Sequence, residues 1–423
     1  MVSVEKALEL ILHAVQPLGK EAVQLTAAQG RILAEEVVAP RDHPPWHNAA
    51  MDGYAVRHED TIGATINDPT SLQVVETVSA GMLSNRKLAR GKAVRISTGA
   101  PLPEGADAVV RIEETVESNQ GRIIQLKKEV RKNQDVRHQG EDLHKGEAIL
   151  SEGEEIRPPE VGLLALAQKK QLAVFKKPRV AILATGDELV EPWERPTPSQ
   201  IINTNSYALA AQVAQSGGEA LLLGIAKDKS KPIGKAALSL MDKIRQGLLS
   251  DVLLIVGGVG PGCGDHTLET LLKMGAEIHF KGVGIRPGHP FAFGCLKGKP
   301  VFALPGNPVA AMVSFFVFAR PTLLKMGGCR NPTPPIYSAR LLVDIDQHPG
   351  KRHYIRAVIS SDKQGLKARP TPSQGSGVLT SMSQANGLII LPETSTGVRA
   401  GESVSVQFFG DLRNDISCTK VRL

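Results

Sequence analysis

Aromatic side chains are scarce in this chain: tryptophan occurs twice, tyrosine four times, and aromatics make up 4% of the residues. Single-stranded nucleic acids are held on stacking rings set among basic residues, and no basic run here is interleaved with aromatics, which argues against a nucleic-acid partner. Cysteine is rarer still. Cys263, Cys295, Cys329 and Cys418 are widely separated, no pair has CxxC or zinc-finger spacing, and a disulfide framework has no support. No apolar run approaches the roughly 18–20 residues that span a bilayer. The N-terminal stretch MVSVEKALELILHAV has apolar residues at helical spacing, broken by Glu5, Lys6 and Glu9. A signal peptide needs an unbroken apolar stretch after basic residues, so we expect an amphipathic helix here, no membrane association and a cytoplasmic location. The GxSxG, HExxH, P-loop and GxGxxG patterns are also absent, which removes the commonest hydrolase, zinc-protease and dinucleotide signatures.

With 423 residues, the chain is too long for a single core, and two to four domains are expected. A net charge of +7 suits an anionic partner, and without stacking platforms a small anionic molecule is the better fit. From residue 51 to about residue 130 short β runs alternate with Gly, Pro and Asn (YAVR, LQVVETV, KAVRIS, DAVVRIEETVE, RIIQLKK), which predicts a small all-β domain. Upstream, a second helical piece is expected over 31–38; downstream, RPPEVGLLALAQ reads as a helix opened by prolines. From Arg179 the pattern changes to alternating strands and helices: RVAILATGDEL, NTNSYALAAQVAQSGG, EALLLGIAKD, KPIGKAALSLMDKIRQ and DVLLIVGG. Such alternation predicts a parallel sheet with helices on both faces. After the NPTPP linker, SARLLVDI, HYIRAVI, LKARP, GLIILPE and ESVSVQFF read as five strands of a second β domain.

Ligands of doubly wound sheets bind beyond the carboxyl ends of the strands, and the unusual residues gather there. VLLIVGGVGPGCGD at 252–265 is an apolar strand running into a loop with five glycines and a proline, followed by a helical segment. Backbone N–H groups and a helix N-terminus can approach an anion closely where side chains are missing, so Gly257, Gly258, Gly260 and Gly262 form a candidate phosphate cradle. The first strand ends in Thr185, Gly186, Asp187 and Glu188, the second in Asp228, the third at Asp265, and the last in Pro305, Gly306, Asn307 and Pro308. A single carboxylate in such a place is most simply a cap. Four that converge repel one another unless a cation neutralises them, which favours a Mg²⁺ site beside a phosphate. Arg286-Pro287-Gly288-His289-Pro290 adds the opposite sign in a turn stiffened by two prolines, and a guanidinium suits a tetrahedral oxyanion.

Taken together, MDGYAVR (51–57), STGAPLPEGADAVV (97–110), GEDL (140–143), ATGDEL (184–189), INTNSYAL (202–209), GGVGPGCGDHT (257–267), RPGHPFAFG (286–294), LPGNPVAAMVSF (304–315) and QGSGVLTSMSQANGLIILPE (374–393) resemble the molybdopterin molybdenumtransferase family, MoeA and the gephyrin E domain. These strings run in family order across essentially the whole chain. The resemblance implies a multidomain α/β plus β protein. An elongated domain I would use 1–40 and 135–177, an inserted small β domain II 41–134, a doubly wound MogA-like α/β domain III 178–329, and a C-terminal β barrel, domain IV, 334–423. It further implies a homodimer whose active site lies between domain III of one subunit and domains II and IV of the other. The implied reaction consumes adenylyl-molybdopterin and molybdate with Mg²⁺, releases AMP and places molybdenum on the dithiolene. A molybdopterin adenylyltransferase and molybdoenzymes are the implied partners.

By match to the family's positions, Asp52, Asp142, Glu188, Asp228 and Asp265 are expected to act in catalysis, and Asp187, Glu188 and Asp265 to hold the metal. Thr185, Gly186 and Pro290 join the substrate site with the residues above, and Arg352 or Arg356 with Ser381 or Ser383 completes the anion site from domain IV. Two positions depart from the family pattern. Arg286 and His289 stand where the family usually has lysines, and Gly260 with Pro261 stands where it keeps a serine hydroxyl. A tungstate preference, a non-catalytic pterin carrier and a molybdopterin adenylyltransferase are the alternative readings.

Overall fold

The computed structural model describes residues 1–227, 240–260 and 266–412. Asp228, Gly262, Cys263, Asp265 and Cys418, with the first part of the helix expected from KPIGKAALSLMDKIRQ, lie outside the described residues. The chain forms two compact units: one of Met1–Ala34, Glu152–Arg157 and Gln171–Leu423, the other of Glu35–Ser151 and Pro158–Lys170.

The second unit is built on a six-stranded sheet in the order Ala108–Arg111, Gly53–Val56, Lys92–Ile96, Thr70–Val78, Ile123–Leu126, Thr115–Ser118. Its strands fall where the alternating runs predict them. Tyr54, Val56, Val110 and Ile124 bury one face while Ala55, Val78, Ile96 and Val109 bury the other, so both sides of the sheet are covered. A Cβ at Gly53 would run into the Val110 carbonyl, which explains a glycine in the middle of MDGYAV. Helix Pro158–Leu166 follows its prolines as expected.

Residues 31–38 are not helical. Ile32 and Leu33 bridge to Glu155 and Val174 in the first unit, and Val37–Val38 pairs with Ala148–Leu150 in the second. Partner strands that bury Leu33, Ala34 and Val37 override the local helical preference.

In the first unit the sheet order is Glu219–Ala226, Arg179–Thr185, Val252–Val256, Lys299–Leu304, Ala292–Leu296, Glu277–Lys281. The first four strands are parallel, and Ala292–Leu296 runs antiparallel to both of its neighbours. The purely parallel expectation fails at Lys297 and Gly298, whose φ values of 50° and 74° make the tight two-residue turn that reverses the chain. Val252, Leu254 and Val256 pack into one core layer and Leu253 and Ile255 into the other, so the unbroken apolar run is a strand covered on both faces.

Helix Pro308–Met326 is 19 residues long and apolar enough by length and composition to cross a bilayer, contrary to the sequence expectation. It is instead a core helix: 78% of its most apolar window is buried, and Phe318 stacks on Phe291 with ring centroids 4.7 Å apart. The few aromatics are concentrated here, with Phe280, Phe291, Phe293, Phe302, Phe315, Phe316 and Phe318 all buried in one layer. That layer also takes in Val4, Ala7 and Ile11 of the N-terminal helix Val4–His13 and Tyr354, Met382 and Leu388 of the C-terminal part.

The five C-terminal strands, Tyr337–Leu341, Arg352–Asp362, Gly365–Pro370, Gly387–Leu391 and Ser403–Phe408, close into a barrel, because Arg352–Asp362 pairs with both Gly365–Pro370 and Gly387–Leu391. Ile285–Arg286, at the head of the Arg-Pro-Gly-His-Pro turn, adds to this barrel parallel to Arg352–Asp362. The turn is therefore hydrogen-bonded to the barrel, which positions the site.

Candidate functional site

The glycine loop and the ends of the parallel strands meet in a close-packed cradle. A Cβ at Gly257, where φ is 104°, would stand 2.5 Å from the Thr185 carbonyl and 2.8 Å from its Oγ1. At Gly258, with φ at 66°, it would meet Thr267 Oγ1. Both positions therefore need glycine for conformation and for space. Thr267 opens helix His266–Lys273 and donates its hydroxyl to the Gly257 carbonyl at 3.2 Å. Thr185 is 4% exposed, and its Oγ1 is buried without a hydrogen-bond partner. A buried, unsatisfied hydroxyl costs about 1–3 kcal/mol unless a ligand or water answers it. Gly186, at φ 148°, lies under the carboxylate of Glu188, with Glu188 Oε1 2.5 Å from the place a Cβ would take. No described side chain pairs with the Glu188 carboxylate, whereas Asp187 has a partner. Gly260 differs from its neighbours: a Cβ there would touch none of the described residues within 4 Å, and its φ is outside the left-handed region. Among the described residues nothing takes the space of the missing hydroxyl at 260.

The Pro305-Gly306-Asn307 turn joins this cradle to a cleft of about 1100 Å³. Gly306 would place a Cβ 3.7 Å from Gly257 Cα, and its carbonyl accepts from Asn205 Nδ2 at 2.7 Å. Arg286, His289, Pro290, Pro305 and Asn307 line one wall of the cleft; Lys351, His353, Arg356 and Ser376 line the wall from the barrel side. Asn307 Nδ2 donates across to Ser376 Oγ at 3.0 Å. Gly288, at φ 114°, sits so close to Ser314 that a Cβ would fall 2.5 Å from its Oγ, itself buried and unpartnered.

Arg356 is the unusual charge in this wall. It is 1% exposed, and it donates Nε to Ser381 Oγ at 3.2 Å and Nη2 to the carbonyls of Ser373 and Gly375 at 3.3 and 3.1 Å. All three acceptors are neutral, and no carboxylate among the described residues pairs with it. Burial alone pushes its pKa down to about 10. A desolvated cation without a counter-ion is costly in a fold and favourable beside an anion. Near it, burial first, and then the charges of Arg286, His348 and Lys351, hold the His353 imidazole below its ordinary range.

The structure separates the remaining expected residues. Arg352 is engaged by Glu5 and by Glu393, the latter at 3.2 Å, so of the two arginines Arg356 faces the cleft. Ser381 sits behind Arg356 and passes its hydroxyl to the Val378 carbonyl at 2.6 Å, while Ser383 is exposed and away from the cleft lining. Asp52 and Asp142 belong to the other unit. The Thr98 N–H, 2.6 Å away, holds the Asp52 carboxyl below the ordinary carboxylate range, and Asp142 lies 4.0 Å from His43 Nε2. Among the described residues no group of three or more His, Cys, Asp or Glu could hold a metal ion. The cluster of four carboxylates expected from sequence is not assembled by the described residues alone, since Asp228 and Asp265 lie outside them. Sequence reasoning missed Thr267, Asn205, Ser314 and Ser376. Only Thr267, immediately after the glycine loop, carried a local signal.

Three family descriptions match the chain: MoeA N-terminal region (domain I and II) at residues 2–167, probable molybdopterin binding domain at 181–325, and MoeA C-terminal region (domain IV) at 338–409. A molybdopterin molybdenumtransferase of Nostoc sp. is 35% identical over 96% of this chain and 93% of its own length. Molybdopterin molybdenumtransferase 2 of Mycobacterium tuberculosis is 34% identical over 96% of this chain and 99% of its own. The crystal structure of a molybdopterin biosynthesis MoeA protein from Pyrococcus horikoshii is similar with a TM-score of 0.81 at 32% identity, covering 97% of this chain and all of that one.

Proposed function

The chain belongs to the MoeA family, and from that premise we propose that it is a molybdopterin molybdenumtransferase that cleaves adenylyl-molybdopterin, transfers molybdate to the dithiolene to give molybdenum cofactor, and releases AMP. That it is a transferase of molybdenum cofactor biosynthesis follows from the family. The finer reading, the adenylylated substrate with release of AMP, is supported above all by one observation: a phosphate-type cradle and an oxyanion-type cleft lie side by side, joined by the Pro305-Gly306-Asn307 turn.

The Gly258 N–H and the Thr185 hydroxyl are the cradle donors offered to the phosphates. Gly257, whose N–H donates to the Leu304 carbonyl at 3.0 Å, and Thr267, whose hydroxyl donates to the Gly257 carbonyl, shape the cradle, and the absence of side chains at the glycines lets the pyrophosphate approach. Arg286 and Arg356 hold molybdate, the first exposed at the mouth and the second buried in the wall. Asn307, tethered to Ser376, fixes the position of the turn between the two pockets. The Glu188 carboxylate, without a partner among the described residues, and the orphaned Thr185 hydroxyl are hard oxygen donors of the kind Mg²⁺ takes, with Asp187 next in sequence. When bound, Mg²⁺ would neutralise charge on the pyrophosphate. Thr185 orients the phosphate through its hydroxyl, and the packed glycines exclude water from its buried face. Asp52, Asp142, Asp228 and Asp265 complete the acidic set in this reading, which also includes a homodimer.

Reconstitution tests the reading. The purified protein, given adenylyl-molybdopterin, molybdate and Mg²⁺, is expected to activate a cofactor-free molybdoenzyme, and omission of molybdate is expected to abolish this. Binding of the pterin without activation would instead favour a carrier. Formation of adenylyl-molybdopterin from ATP and molybdopterin would favour an adenylyltransferase.

A further inference from the structure

His289 lines the oxyanion cleft, and its ring is fixed in a way that restricts what it offers a ligand. Nδ1 lies 2.9 Å from the Val283 carbonyl oxygen. A carbonyl only accepts, so Nδ1 carries the hydrogen and the other nitrogen, Nε2, is what remains for the cleft. Gly282 packs beneath the ring, with Cε1 3.6 Å from the place a Cβ there would take. Nε2 has no partner among the described residues. In the neutral ring Nε2 presents a lone pair.

Molybdate is a tetrahedral dianion, and it too presents only lone pairs. Two acceptors cannot share a contact without a hydrogen between them. We propose that oxyanion binding in this cleft takes up one proton, placed between His289 Nε2 and the oxyanion, and that His289 thereby sets which oxyanions the cleft retains. The proton comes from solvent, and no other bond is made or broken. On the same turn the neighbouring charge is Arg286, and from the barrel strand His353 and Arg356 line the cleft. The loop before that strand contributes His348 and Lys351, together with Asp344 and Asp346, both held by Arg399. The helix that begins at Pro308 faces the cleft with Ala310 and no charge. The surplus of cations draws in the dianion, and the dianion draws in the proton. Oxyanions that accept a proton readily are held better above neutral pH than sulfate, which accepts one poorly.

This inference rests on the proposed oxyanion role of the cleft, and calorimetry separates the two. The full-length protein is titrated with molybdate from about pH 6 to about pH 8.5 in pairs of buffers that differ in ionisation heat. The expected result is uptake of nearly one proton per molybdate at the upper end, with affinity falling by up to about tenfold per pH unit there. His289→Gln is expected to lose both the proton uptake and the slope. His289→Lys, with a permanent donor, is expected to lose the slope and bind more tightly at the upper end. Binding by the unaltered protein with no proton uptake overturns the proposal, as does His289→Gln retaining it; the proton count on the unaltered protein decides even if a variant fails to fold. Failure to bind molybdate at any pH overturns the oxyanion reading of the cleft and this inference with it.

Discussion

Glycines three residues apart in one loop do different jobs. Gly257 and Gly258 have left-handed φ values and stand against Thr185 and Thr267, while Gly260 has neither a left-handed φ nor a close neighbour among the described residues. Gly258→Ala is expected to destabilise the fold by about 1–3 kcal/mol through strain and collision, visible as a lower thermal midpoint. Gly260→Ser should leave that midpoint unchanged and add a hydroxyl donor at the cradle, tightening AMP binding. A loss of stability there would mean that 260 is constrained after all. Arg356 makes the second contrast at this scale. Arg356→Gln is expected to weaken molybdate binding by about 1.5–3 kcal/mol, the worth of hydrogen bonds to a charged group, as measured by calorimetry. At this scale the sequence was legible where a residue type is demanded by contact or charge, as at Thr185, Gly257 and Arg286. It was not legible for Ser376 or Ser314, whose roles come from strands far away in the chain.

Among the elements, the Arg-Pro-Gly-His-Pro turn is held at both sides, by pairing of Ile285 and Arg286 with Arg352 and His353 and by the close fit of Gly288 on Ser314. Gly288→Ala would force this turn away from the helix, and we expect oxyanion affinity to fall more than tenfold while AMP binding at the cradle is kept. Equal loss of both would show that the two pockets are not separately built. A two-residue strand has no periodicity to read, so this junction was invisible in the sequence, although both partners were recognised individually. The 31–38 segment failed for a related reason: its helical spacing is real, but partner strands decide its conformation. In the other unit, Asp42 accepts from the Lys145 N–H and the Gln139 side chain, both at 2.8 Å. The Lys145 N–H is the main reason its carboxyl lies below the ordinary value of 3.8. A depressed carboxylate stabilises fully above that value and loses its contribution as pH falls through the lower folded value. Asp42→Asn should therefore flatten the acid end of the unfolding profile below about pH 3.8 and speed hydrogen exchange at the Lys145 amide. An unchanged acid limb would remove Asp42 from the account.

At the scale of the whole molecule, sequence periodicity was enough to separate a small β region, an α/β region and a C-terminal set of five strands, because each period is set by local geometry. Barrel closure and the single antiparallel strand depend on long-range pairing and a two-residue turn, which composition does not show. The apolar helix Pro308–Met326 shows the same limit in reverse: length and hydropathy fit a bilayer, and only packing places it in the core. A homodimer is the expectation at this scale, and light scattering on the purified protein should then give twice the 45.2 kDa chain mass. The central claim is that the cradle and the cleft act on one adenylylated pterin together, and AMP release measures it directly. With purified protein and adenylyl-molybdopterin, AMP should appear only when molybdate and Mg²⁺ are both present, and Glu188→Gln should slow its appearance. AMP release at the same rate without molybdate, or no release despite tight binding of both ligands, would contradict the account.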